Sequence, residues 1–119
     1  MINHVTQEDR SGCGLACVAM VAGMTYRQVR KIWLNCLLGD EGKLDTFGSG
    51  TTAGDLVNLL GHIGGFTMTV GRKNYHDGQW WSIADEVAEW RIAEVPTKWG
   101  SHWVVKFQGK TFDPAQEGK

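Results

Sequence analysis

Apolar residues recur at helical spacing in three early segments of the chain and alternate in the later ones. Between Gly12 and Gly23 they fall at Leu15, Val18, Ala19 and Ala22. This spacing predicts a helix, with small residues that allow close packing and Gly23 as its stop. Thr25 is placed to cap a second helix running to about Leu38. Val29, Ile32, Trp33 and Cys36 line one face of it, and Arg27, Arg30 and Lys31 lie on the solvated side. Residues 39–50 hold little apolar content and read as a loop. Thr51 or Thr52 then caps a third helix with Leu56, Val57, Leu59, Leu60 and Ile63 as its buried stripe, and Gly64-Gly65 closes it.

The second half of the chain reads as strands. Phe66-Thr67-Met68-Thr69-Val70 alternates and predicts the first, followed by a turn-rich stretch from Gly71 to Gly78. Residues 79–90 stay undecided: Ile83, Val87 and Trp90 fit one helix face, but the segment is short. Arg91 to Val95 predicts a strand that stops at Pro96. Ser101 to Phe107 is the clearest strand. Gln108-Gly109 marks a hairpin turn, and Lys110 to Asp113 returns before Pro114. Helices first and strands afterwards predict an α+β fold with N-terminal helices packed against a small antiparallel sheet.

A length of 119 residues suits a single domain spanning 1–119, with a core that needs no disulfide staples. The net charge of −1 carries no electrostatic footprint for nucleic acid. No stretch is long and apolar enough to span a membrane, and the N-terminus lacks the pattern of a secretory signal. Cys13, Cys17 and Cys36 are an odd set that makes no disulfide framework, so a reducing, cytoplasmic setting is expected.

Cys13 is the residue that points to chemistry. It opens the first helix, where unpaired backbone N–H groups favour an anion, and a thiolate rather than a thiol is the attacking species. Gln7 precedes it by six residues; its side-chain amide, folded back beside the thiol, would offer an N–H to an oxyanion alongside the Cys13 backbone N–H. With a two-residue turn at Gln108-Gly109, Val104 opposes Asp113. His102 then points the same way as Val104 and becomes a diagonal neighbour of Asp113, roughly 7–8 Å away between backbones. A carboxylate there fixes the imidazole tautomer and steadies the imidazolium.

Gln7-x5-Cys13-Gly14-Leu15-Ala16-Cys17-Val18-Ala19-Met20-Val21-Ala22-Gly23, then His102-Trp103-Val104-Val105, then Phe112-Asp113-Pro114, resembles the papain-like cysteine peptidases that cut double-glycine leader peptides. The likeness is to the peptidase domains of bacteriocin exporters and their stand-alone relatives. The resemblance implies a papain-like fold and an amide-cleaving enzyme acting on a peptide or protein substrate, with no cofactor. It gives Gln7 the oxyanion hole, Cys13 the nucleophile, His102 the general base and acid, and Asp113 the orienting group. It suits a bacterial or phage cytosolic protein. Gly12 departs from the family, which usually carries Asp before the cysteine. The same thioester chemistry serves isopeptidases, deamidases and acyl transferases, and a papain-like scaffold can also bind and modulate a partner protein without turnover.

Other residues read more plainly. A zinc site on Cys13, Cys17 and a histidine has too few ligands, so Cys17 and Cys36 read as core. Trp33, Trp90 and Trp103 read as core, Trp99 and Trp103 flank His102, and one of Trp80 and Trp81 should reach the surface. His4, His62 and His76 have no charged partner at a telling spacing. Gly48-Ser49-Gly50-Thr51-Thr52 lacks the lysine of a phosphate loop and reads as a helix start.

Overall fold

Helix α1, Cys13–Ala22, carries almost no polar side chain on any face, and residues 13 to 20 are all buried. A helix that is apolar all round belongs inside. In the computed structural model, which describes residues 2–45, 50–75, 78–97 and 100–115, it is the spine of the fold. Two further helices and the fourth strand of the sheet pack against it. Gly23 ends it in the left-handed region (φ 67°), with its N–H donating to the Ala19 carbonyl.

Helix α2, Tyr26–Cys36, starts with a reciprocal cap. The Thr25 hydroxyl accepts from the Gln28 N–H at 3.1 Å, and the Gln28 side chain accepts from the Thr25 N–H at 2.9 Å. It buries Tyr26, Val29 and Trp33. Cys36, expected in the core, is exposed; it is the last residue of the helix and lies past the packed face. The segment read as a loop contains a 3-10 turn, Glu41–Asp45, whose Leu44 is fully buried.

Helix α3, Ala53–Ile63, buries Leu56, Leu59 and Leu60. Of the two threonines proposed as its cap, Thr52 takes the position: its hydroxyl accepts from the Asp55 N–H at 3.1 Å, and Asp55 answers the Thr52 N–H at 2.9 Å. Thr52→Ala is expected to cost about 1 kcal/mol, the usual worth of an N-cap. A lower urea midpoint with an unchanged denaturant slope is the readout; an unshifted midpoint would count against the cap.

Five strands follow as an antiparallel meander in the order β1-β2-β3-β4-β5: Met68–Tyr75, Gly78–Asp85, Trp90–Thr97, Gly100–Phe107 and Lys110–Phe112. The α+β architecture expected from the pattern is the one observed. β1 runs through most of the stretch read as a turn, because it pairs with β2 all the way from Met68↔Asp85 to Tyr75↔Gly78. The undecided segment is β2 and a turn. Asp85 makes the turn: its carboxylate accepts from the N–H groups of Val87 and Ala88, both at 3.0 Å, and of Thr67 at 3.2 Å. Those bonds, that of Ala88 first, hold it below the usual carboxylate range. Val87, which would line a buried helix face, is 81% exposed on this turn.

Gln108 (φ 50°) and Gly109 (φ 76°) are both left-handed, as a two-residue type I′ hairpin demands. The register that follows, Val105↔Phe112 to Phe107↔Lys110, sets Asp113 next in line opposite Val104. No described helix is long and apolar enough to cross a membrane.

Candidate active site

The approach to Cys13 is held by its own backbone and by α2. The Gly12 N–H donates to the Asp9 carbonyl at 3.1 Å and the Ser11 N–H to the Leu44 carbonyl at 2.7 Å. The Asp9 carboxylate accepts from the Tyr26 hydroxyl at 2.6 Å and the Arg30 guanidinium at 2.9 Å. Arg30 also reaches Glu41 at 2.8 Å. Burial, together with the hydrogen bond to Asp9, pushes the Tyr26 hydroxyl well above its ordinary range, so it stays a donor. This partly buried network clamps residues 9–12 onto α2 and sets where α1 begins.

Gln7 belongs to the same clamp. Its amide nitrogen donates to the carbonyls of Asp9 (3.0 Å) and Arg10 (2.9 Å), and its side-chain oxygen is buried without a partner among the described residues. This differs from the expectation that the amide offers an N–H to an oxyanion. An amide nitrogen has two hydrogens, and the turn before the helix uses both. The sequence places Gln7 near Cys13 but does not say which acceptors its amide will meet. The N–H of Cys13 itself opens α1, where helix geometry supplies no acceptor four residues back.

From the other side, β4 brings His102 and the hairpin brings Asp113. His102 Nε2 donates to an Asp113 carboxylate oxygen at 2.6 Å. The same oxygen accepts from the Ala115 N–H at 2.9 Å. With Nε2 so engaged, Nδ1 is the nitrogen left for the Cys13 sulfur. The hydrogen bond with Cys13 is the largest influence on the ring. Burial opposes it, Asp113 adds to it, and the imidazolium is held up to about 9.

Two contacts from the start of the chain steady this pair. His4, which shows no charged partner at a telling spacing in the sequence, donates from Nε2 to the Asp113 carbonyl at 2.7 Å. The Gln7 backbone N–H donates to the Pro114 carbonyl at 2.9 Å. The first residues of the chain thus lie along the exit of β5 and hold Asp113 in place. A contact spanning more than a hundred residues leaves no local signal. Trp103 is buried, and its indole N–H donates to the Thr51 carbonyl at 3.0 Å, which ties β4 to the start of α3.

Cys13, His102 and Asp113 share the wall of a cleft of about 540 Å³ with Arg10, Trp81 and Glu94, among others. Cys13 is 8% exposed and faces this space. Cys17, one turn on, is fully buried, and burial pushes its thiol well up, as suits an inert core residue. Trp33 and Trp90 are buried as read. Trp99, His76 and Gly48-Ser49 lie outside the described residues. Among the described residues no group of three His, Cys, Asp or Glu side chains could hold a metal ion. No family model, curated protein or solved structure matches this chain.

Proposed function

We propose that this chain is a papain-like thiol hydrolase that cleaves a peptide or isopeptide amide through Cys13, His102 and Asp113. The observation that carries the reading is the unbroken run of side-chain contacts from Cys13 to His102 to Asp113 on the wall of one cleft. Two stretches far apart in sequence, the start of α1 and the hairpin of β4 and β5, supply them. An imidazolium beside a sulfur at a helix N-terminus favours the thiolate. The likeness to peptidases of double-glycine leaders supports the same assignment, and a cytoplasmic setting goes with it.

In this reading the thiolate attacks the amide carbonyl and a C–S bond forms. The oxyanion is met by the Cys13 N–H at the start of α1. His102 gives its proton to the leaving nitrogen, the C–N bond breaks, and a thioester remains. The neutral ring then takes a proton from water as it attacks, releasing the acid and restoring thiolate and imidazolium. Asp113 keeps Nε2 protonated and Nδ1 facing the sulfur. Gln7 acts as a positioning residue that shapes the turn before Cys13.

The test is alkylation of the pure protein by iodoacetamide at pH 6, followed by mass spectrometry. Cys13 is expected to react at least tenfold faster than a free cysteine, which is mostly thiol at that pH. His102→Ala should bring it down to the free-thiol rate. A Cys13 no faster than free cysteine, or indifferent to His102, rules the reading out. The use of both Gln7 amide hydrogens within the turn favours a second reading, a papain-like scaffold that binds and modulates a partner without turnover. A Cys13→Ala protein that keeps its full biological effect would select that one.

A further inference from the structure

The sheet forks beside the cleft. β2 pairs with β3 from Asp85↔Trp90 to Ser82↔Ala93. Beyond that point β2 stays with β1 as far as Gly78, while β3 stays with β4 as far as Thr97. The two hairpins part at Trp81 and Glu94, the next pair the ladder would have made. At this apex the Trp81 backbone N–H donates to the Glu94 carboxylate, at 3.1 Å. Pro96 fits the same picture. Proline has no N–H for a ladder and is tolerated in a strand where its nitrogen faces no neighbour, here on the side β2 has left.

Glu94 and Trp81 line the same cleft as Cys13 and His102. Glu94 is half-buried, and among the described residues it forms no ion pair. The Arg72 guanidinium stacks over the Trp81 ring at 4.7 Å. Arg10 enters the cleft from the loop before α1. A carboxylate partly withdrawn from water gains most from a cationic partner that hydrogen-bonds to it. A gap along a strand edge accepts an extended chain, whose side chains then decide specificity.

We propose that an extended substrate segment enters this fork and that Glu94 selects a lysine or arginine side chain on it. The inference rests on the thiol-hydrolase reading, because the fork opens into the Cys13 cleft. Glu94 and Cys13 line one cleft, and an extended chain advances about 3.3 Å per residue, so the selected side chain lies within a few residues of the scissile amide.

Glu94→Gln is the informative variant, since glutamine keeps an oxygen for the Trp81 N–H and removes only the charge. The probes are acetylated tripeptide vinyl sulfones carrying lysine, glutamine or glutamate in turn at each position, on an alanine background. The rate of Cys13 alkylation is followed by mass spectrometry on the full chain. At one position at least, the lysine probe is expected to react about tenfold faster than its glutamine counterpart. Glu94→Gln should bring that ratio toward one, and Glu94→Lys should favour the glutamate probe. A lysine preference that survives Glu94→Gln, or none at any position while Cys13 still outpaces a free thiol, overturns the role of Glu94 and leaves the thiol chemistry standing. A Cys13 no faster than a free thiol with every probe overturns both.

Discussion

In the proposed thiol-hydrolase reading, Cys13→Ala is expected to reduce amide cleavage to background, a loss of about 10⁴-fold or more in kcat, while the protein stays folded. The fold should survive because alanine removes one sulfur atom from the first residue of a helix that is anchored along eight buried positions. His102→Ala should cost nearly as much, and the double variant little more, because residues acting as one unit lose their effect together. Asp113→Asn should retain the backbone register and lower kcat, since a neutral amide no longer carries the charge that steadies the imidazolium. The pH profile adds a second check. In the thiol-hydrolase reading His102 must carry a proton to release the amine, and its hydrogen bonds with Cys13 and Asp113 push it up to about 9 against the effect of burial. Activity should therefore fall as pH rises through about 9. Asp113 contributes to that elevation, so the alkaline limb should move to lower pH in Asp113→Asn. A Cys13→Ala protein with more than a tenth of wild-type turnover would end the nucleophile assignment.

The second large effect is expected at Gly12. A Cβ built there lands on the Tyr26 hydroxyl oxygen and 2.9 Å from Cζ of the same ring. Tyr26 is buried, and its hydroxyl is fixed on Asp9. Neither side can give way cheaply, so Gly12→Ala should cost about 3 kcal/mol, at the upper end for overpacking. Tyr26→Phe alone should cost about 1–3 kcal/mol, because Asp9 loses a donor inside a partly buried network. Together the two should cost less than their sum, since removing the hydroxyl opens part of the space the methyl needs. A coupling of about 0.5–3 kcal/mol is expected from the double-mutant cycle, read by urea denaturation. A Gly12→Ala protein as stable as wild type, or strictly additive costs, would show that the close approach is not rigid. The same geometry accounts for glycine at this position, because a side chain there meets the Tyr26 ring.

Much of this molecule can be read from local chemistry. Thr25 with Gln28 and Thr52 with Asp55 are capping boxes made within three residues. Gln108-Gly109 decides a register, and that register carries Asp113 to His102. Misreadings occur where a distant partner outweighs the local pattern. The turn-rich signal from Gly71 onward yields to a strand, because β2 supplies a full ladder. Pro96 fails to end β3, because β4 alone pairs with that part of it. Leu44 is buried although its neighbours are polar, since its carbonyl ties the residue just before Gly12.

By itself the order of residues determined three helices followed by strands, a cysteine at the start of the first helix, and a hairpin that carries Asp113 to His102. Those features depend on spacing, caps and a two-residue turn, all encoded within a few positions. Only the tertiary structure decided that the Gln7 amide serves the turn, that His4 braces Asp113, that Tyr26 leaves no room at Gly12, and that the sheet opens at Trp81 and Glu94. Each of these turns on which hydrogen-bond partner or which atom a side chain meets from a distant stretch of chain, a choice made by packing in three dimensions.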